Sequence, residues 1–294
     1  MSNKDTSFTK KIRPVTCGNK ILDFSTPKIM GVLNLTPDSF YDGGKFHQEK
    51  IRKEQVEKML LEGADIIDLG AVSSRPGAEL TDEKEELKRV IWPLQRLVKE
   101  FPEAIFSIDT FRSSVARECI ENGAHIINDI SGGNFDDNMY ATVAALHVPY
   151  ILMHLHGTPE SMQQFPIAEN IIEIIRQYFT EKIKDLRNTG VEDIILDPGF
   201  GFGKTLKCNY TILKNLEELR IDNLPLLGGI SRKSMINKVI HTNPSEALNG
   251  TTVLNTIALL QGVNILRVHD VKEARQAIEI VRFTEESGEC GEAE

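Results

Sequence analysis

The chain has 294 residues, 40% of them hydrophobic, and a formal net charge of −9. That is material for one large core, and the acidic balance excludes a general nucleic-acid or anionic-membrane binder, whose surface would be basic. Its four cysteines, Cys17, Cys119, Cys208 and Cys290, show no metal or CxxC spacing, and no apolar leader or bilayer-length run occurs, so a cytoplasmic protein without disulfides is expected.

Three regions are predicted: an N-terminal extension and hairpin over 1–27, a barrel over 28–284, and an acidic, disordered tail over 285–294. Ile12 to Phe24 reads as two short strands around Cys17-Gly18-Asn19, a hairpin covering a barrel floor. Strands follow at Lys28–Leu35, Asp65–Leu69, Ala104–Asp109, His125–Asp129, Tyr150–His154, Asp193–Asp197, Pro225–Ile230 and Asn264–His269. These runs do not alternate with polar residues, as expected of strands buried on both faces. Helical spacing marks Gln48–Leu61, Asp82–Lys99, Ser113–Asn122 (stopped by Gly123) and Ile171–Asn188 (stopped by Gly190). Gly157–Glu169 lacks periodicity and reads as a mobile loop or insertion. Alternating strands and helices over this length predict an α/β fold, a single (β/α)₈ TIM barrel with a short N-terminal β-hairpin.

The apolar runs tend to end in chemically capable residues. Asn34 precedes a Pro-, Asp-, Ser- and Gly-rich loop and offers a neutral oxygen to a hard cation; turn chemistry explains the Pro and Gly but not Phe40. Ser73-Ser74-Arg75-Pro76-Gly77 presents hydroxyls and a guanidinium suited to oxyanions. Asp109 ends a buried run, where an unused carboxylate carries a desolvation cost; the alternative is that Asp109 or Thr110 caps the next helix. Asp197-Pro198-Gly199-Phe200-Gly201-Phe202-Gly203-Lys204 is not a phosphate loop, because Pro198 stands where the first glycine of that spacing belongs. It reads as a carboxylate followed by a permissive backbone with an aromatic to stack on a ligand. Ser231-Arg232-Lys233-Ser234 and Arg267-Val268-His269 follow strands seven and eight, where barrels bind phosphates; cations at a helix start oppose its dipole, which favours a functional reading. Arg267 and His269 share a strand face. His154 and His156 form an HxH pair with no matching ligands on other strands.

The ordered set NLTPDSF, SSRPGA, SIDT, NDISGG, LMHLHGTP, DPGFGFGKT, SRKSM and RVHDV, spanning Lys28 to Arg275, resembles the dihydropteroate synthase family of pterin-binding enzymes. The resemblance implies a barrel that joins p-aminobenzoate to a 7,8-dihydropterin methyl diphosphate, releasing diphosphate and 7,8-dihydropteroate in folate biosynthesis. By that likeness Asn34 is the Mg²⁺ ligand; Asp109, Asn128, Met153, Asp197, Phe202 and Lys233 hold the pterin; Asn34, Ser74, Arg75, Arg267, Val268 and His269 meet the diphosphate. Phe40, Pro76, Lys233 and Ser234 surround p-aminobenzoate, and Thr36, Pro37, Asp38, Ser39, Asp42 and Arg75 belong to mobile loops. Asp109, Lys233, Arg267 and His269 are implied to be catalytic. The chain departs from many relatives at Val72 (commonly Glu), at Ser74 (commonly Thr, so the hydroxyl persists) and at Leu155-His156.

The implied chemistry is consistent with the residues. Mg²⁺, Arg267 and His269 would stabilise the departing diphosphate while Asp109 offsets positive charge on the pterin. An arylamine is already neutral at pH 7, so no nucleophile–base pair is needed. The alternatives are a methyltetrahydrofolate:corrinoid methyltransferase domain, in which the cationic loops lack a purpose, and a catalytically silent pterin-binding protein, which would not be expected to keep Asn34, Asp109, Lys233 and Arg267 together. Small-molecule substrates and a homodimer are implied, with neither nucleic acid nor membrane as partner; sulfonamides, as arylamine mimics, are the family's inhibitors.

Overall fold

The computed structural model describes residues 11–35, 45–72, 81–158 and 161–287, with the side chains of 45–47 left aside. The chain opens with an antiparallel hairpin, β1 (Val15–Cys17) and β2 (Lys20–Leu22). Eight parallel strands follow: β3 (Lys28–Asn34), β4 (Ile66–Gly70), β5 (Ile105–Asp109), β6 (Ile126–Asp129), β7 (Tyr150–Met153), β8 (Ile194–Asp197), β9 (Leu227–Gly228) and β10 (Ile265–Val268). Their order is β8-β7-β6-β5-β4-β3-β10-β9, and one parallel bridge, Leu196 with Leu226, spans the remaining gap. The helices are α1 (Lys45–Leu61), α2 (Glu83–Glu100), α3 (Ser113–Glu121), α4 (Met139–Leu146), α5 (Ile171–Thr189), α6 (Leu206–Lys214), α7 (Ser234–Ile240), α8 (Leu248–Leu260) and α9 (Val271–Glu286). This is the expected barrel with its N-terminal hairpin, and among the described residues no helix is long and apolar enough to cross a membrane.

Period-two alternation divides each strand between two cores. Ile67, Leu69, Phe106, Ile108, Ile127, Tyr150, Leu152, Ile194, Leu196, Leu266 and Val268 face outward into the layer shared with the helices. Met30, Ile66, Ile105, Ile126, Ile151, Ile195, Leu227 and Ile265, one from every barrel strand, face inward and close the floor against Ile12, Val15, Cys17, Leu22 and Phe24 of the hairpin segment. The hairpin therefore covers the floor, as its sequence suggested.

Three local expectations change. The seventh barrel strand is two residues long rather than Pro225–Ile230: Pro225 has no N–H to give, and Gly228-Gly229 supplies no side chain to hold a pleat. Gly157–Glu169 is tied down where it is described, with Met162 buried and Ile167 bridged to Lys204, so it packs on the neighbouring loop. Helix α9 runs to Glu286, past the expected start of the tail at 285, because its Val271, Ala274, Ala277, Ile278 and Val281 stripe anchors it to the barrel.

Candidate active site

Moving up the barrel from the floor, the inward positions change character. Two residues above Ile66, Ile105, Ile126, Ile151, Ile195 and Ile265 stand Asp68, Ser107, Asn128, Met153, Asp197 and Arg267; two further on are Gly70 and Asp109, and β3 ends inward at Asn34. The C-terminal mouth is thus polar because the same strand face that builds an apolar floor continues into it.

Arg267 is the centre of this layer. Its Nε donates to Asp68 Oδ2 at 2.7 Å and its Nη2 to Asp109 Oδ2 at 2.9 Å, while Asn128 Nδ2 donates to the same Asp68 oxygen at 3.1 Å. Asp68 is fully buried, and its Oδ1 accepts no hydrogen bond from the described residues. Burial works against the Arg267 charge, yet the two carboxylates more than compensate and raise its pKa. Burial pushes the Asp109 carboxyl upward, against the pull of Arg267, and Asp68 adds like-charge repulsion. Asn34 Oδ1 reaches the same rim: a side-chain carbon built on Gly70 would lie 3.9 Å from both Asn34 Oδ1 and Asp109 Oδ2.

Across the mouth, Asp197 Oδ1 accepts from Gly199 N at 2.7 Å. A carbon built on Gly229 would lie 3.9 Å from Asp197 Oδ2 and 3.9 Å from Lys233 Nζ, so the two charges flank this glycine. Burial raises the Asp197 carboxyl, with Lys233 opposing. Burial brings the Lys233 ammonium down to about 8, and Asp197 resists. Lys233 Nζ donates to Phe200 O and sits 4.7 Å from the Phe202 ring centroid. Met153 and Phe202 belong to a third apolar cluster with Phe111, Ile130, Leu155 and Met162, forming one wall of the mouth.

The structure therefore brings together Asn34, Asp109, Asn128, Met153, Asp197, Phe202, Lys233 and Arg267. His269 is exposed at the rim, its Nδ1 3.1 Å from Ser231 Oγ, and Ser234 is exposed at the start of α7. Val268 is not brought in: its side chain faces the helix layer and is fully buried there, because it is one residue out of phase with Arg267. Thr36, Pro37, Asp38, Ser39, Phe40, Asp42, Ser74, Arg75 and Pro76 lie outside the described residues.

The structure places the other sequence candidates as follows. Helix α3 has no side-chain cap, so Asp109 does not cap it; Thr110 Oγ1 accepts from Arg112 N at 3.2 Å and donates to Glu86 at 2.7 Å. Arg232 is committed to Asp270, with Nε–Oδ2 at 2.9 Å and Nη2–Oδ1 at 2.7 Å, leaving Lys233 as the cation of that loop in the mouth. His154 is buried edge-on against Tyr178, its imidazole pushed down to about 2 by burial and by Lys204. Among the described residues no group of three or more His, Cys, Asp or Glu converges as a metal cage. Sequence reasoning missed Asp68; the signal was an acidic residue inside the apolar run DIIDLG, two positions before Gly70 and so on its face.

A family model described as "Pterin binding enzyme" matches residues 30–269. Dihydropteroate synthase of Escherichia coli K12 is 43% identical over 265 residues, covering 90% of this chain and 93% of that protein. The chain belongs to the dihydropteroate synthase family of pterin-binding enzymes. Among solved members of the family, Yersinia pestis dihydropteroate synthase in a sulfonamide drug complex superposes with a TM-score of 0.87 at 39% identity, covering 94% of this chain and 100% of that one. The Xanthomonas albilineans dihydropteroate synthase with 4-aminobenzoic acid gives a TM-score of 0.87 at 32% identity over 94% of this chain and 100% of that one. The family match ends at His269, so it contains every mouth residue described above and leaves the floor hairpin outside.

Proposed function

We propose that this chain condenses p-aminobenzoate with (7,8-dihydropterin-6-yl)methyl diphosphate to give 7,8-dihydropteroate and diphosphate. The observation that carries the reading is the arrangement of charge in the mouth: Asp68 and Asp109 share the single guanidinium of Arg267 beside Asn128, facing the Asp197–Lys233 pair. A pterin presents adjacent ring N–H and exocyclic amine donors, which one carboxylate accepts side by side; Asp197 suits that edge. Asn128 donates and accepts, and Lys233 donates to the pterin carbonyl. Each such charge-assisted bond contributes roughly 1.5–3 kcal/mol in a dry pocket.

The reaction breaks the bond between the methylene carbon and the diphosphate oxygen, whose electron pair leaves with diphosphate. The arylamine nitrogen then forms the new C–N bond and gives up a proton. With Asp109 ionised, two carboxylates against one guanidinium leave a net negative site beneath the pterin, which favours the positive charge that develops there as the leaving group departs. His269 at the rim and Arg267 below it face the diphosphate; the family likeness assigns Ser74 and Arg75 to the same group, and Phe40, Pro76 and Ser234 to the arylamine, for which a sulfonamide would compete. The Asn34 carboxamide, exposed at the end of β3, fits Mg²⁺, a cation that takes few protein ligands and completes its shell with water and diphosphate oxygens. When bound it would supply Lewis-acid neutralisation of the leaving group.

Exposed Val253, Ile257 and Leu260 form one stripe on α8, and Ile280 and Phe283 another on α9; we assign this face to a second copy of the chain. The buried cysteines accord with the cytoplasm.

The test is incubation with p-aminobenzoate, the pterin diphosphate and Mg²⁺, followed by assay for diphosphate and the coupled product. Stoichiometric release of both is expected; hydrolysis of the ester without coupling, or no turnover, would overturn the reading.

A further inference from the structure

Lys204 is 4% exposed and lies beneath the loop that leaves β8. All three protons of its ammonium are used on backbone carbonyls: His154 O at 3.0 Å, Gly199 O at 2.8 Å and Phe202 O at 2.9 Å. No carboxylate among the described residues forms an ion pair with it. A buried charge whose direct hydrogen bonds all go to peptide carbonyls, with the Asp197 carboxylate stabilising it from a distance, is a costly way to fill space, since methionine would occupy a similar volume without desolvating an ion. Burial draws the ammonium down to about 7, with Asp197 resisting and Lys233 adding to the fall. What the charge achieves is convergence. It pulls three carbonyls from two different strand-end loops to one point, joining the loop after β7 to the loop after β8.

The consequence falls on the pterin pocket. With the Gly199 and Phe202 carbonyls turned down to Lys204, the intervening Phe200 carbonyl accepts from Lys233, and the Phe202 ring comes to 4.7 Å from Lys233 Nζ. Met153, next to the anchored His154, forms the facing part of the same apolar wall. Asn209 braces the loop from the other side, accepting from Gly201 N at 2.6 Å and donating to Lys204 O at 3.2 Å. The hydrogen bonds of Arg267 to Asp68 and Asp109 involve none of these atoms.

We propose that Lys204 is a positioning residue for pterin binding, acting through its ammonium to present Phe202, Met153 and Lys233, and not through contact with the reacting atoms. This rests on the pterin-condensing reading above.

The experiment compares wild type, K204M and K204R by calorimetric titration with the pterin diphosphate and by steady-state turnover with p-aminobenzoate and Mg²⁺. For K204M, affinity for the ester is expected to fall tenfold or more while kcat at saturation stays within threefold; K204R, which keeps the charge, should recover most of the affinity. Unchanged affinity in K204M, equal losses in K204M and K204R, or a loss confined to kcat would overturn the proposal. If K204M does not fold by circular dichroism, K204Q takes its place under the same criteria, and failure of both to fold assigns the side chain to folding and sinks the idea. Wild type that turns over normally beside an unaffected K204M rejects this inference alone; inactive wild type rejects the function itself.

Discussion

Asp109 and Asp68 compete for one guanidinium, and their surroundings give them different tasks. Asp109 is at the strand end, its side chain 14% exposed, whereas Asp68 is two residues deeper and fully buried. Asp109→Asn removes a fixed charge next to the developing cation and keeps the shape. Turnover should drop on the order of 10²–10³-fold with only a modest change in pterin affinity, and near-normal turnover in stopped assays would count against the electrostatic role. Asp68→Ala instead leaves Arg267 with a single carboxylate and Asn128 without its acceptor in a dry layer. Because it breaks a buried pair, we expect a loss of about 3 kcal/mol in urea unfolding; a loss below about 1 kcal/mol would show the pair to be dispensable. Lys233 makes a pH prediction. Its ordinary value of 10.5 is lowered to about 8, so the folded protein loses this proton as pH rises through 8 while the unfolded chain keeps it to near 10.5. Ester binding should weaken through that window. The same lysine's contribution to stability has the opposite sign: the unfolded state binds the extra proton there, so stability gains from it as pH rises. The kcat/KM profile for the ester should show an alkaline limb near pH 8 that K233R lacks, and a limb that survives in K233R belongs to another group.

At the scale of elements, the loop after β8 shows what a sequence does and does not reveal. Its glycines were legible as a permissive backbone, but the reason for them is tertiary. Gly199 (φ +67°) would place a side-chain carbon 2.1 Å from His154 O, and Gly203 (φ +67°) 2.3 Å from His156 O, so the close approach is to the neighbouring loop's backbone. Gly201 (φ +84°) has room, its nearest neighbour being Lys233 Cδ at 3.6 Å. Gly201→Ala should therefore cost only conformational strain, about 1–2 kcal/mol, whereas Gly199→Ala adds a collision with a carbonyl that cannot swing aside. Thermal unfolding should separate the two variants clearly, with Gly199→Ala the less stable, and equal melting temperatures would show that the two loops part easily. The SRKS segment carries the same lesson. Opposition to the helix dipole marked both cations as functional, yet Arg232 turns to Asp270, a partner 38 positions away that no local rule selects. Val268 was drawn in by its motif although strand parity already argued against its side chain. Asp68 was overlooked although the same parity argued for it.

For the molecule as a whole, the barrel was readable because doubly buried strands have a strong signature and because most runs ended in a capable residue. Association is harder to read: the residues concerned are exposed apolar side chains on helices whose other faces are core. On α8, Val253 (50% exposed), Ile257 (37%) and Leu260 (50%) follow at intervals of four and three, and α9, packed against it, adds Ile280 (67%) and Phe283 (74%). Neither helix needs these side chains to hold the barrel, since Leu254, Ala258, Leu259, Ala277, Ile278 and Val281 already fill the core side. The mouth residues project from the C-terminal ends of the strands whereas these stripes lie on the outer helix layer, so covering them with a twofold partner leaves the site open. Phe283→Glu places a charge, and across a twofold axis its repeat, in the proposed contact. Sedimentation should find a dimer for the wild type and a shift to monomer in the variant, with turnover per chain within about threefold because the charge group is assembled from one chain. A monomeric wild type, or a variant that stays dimeric, would assign the apolar face to some other role.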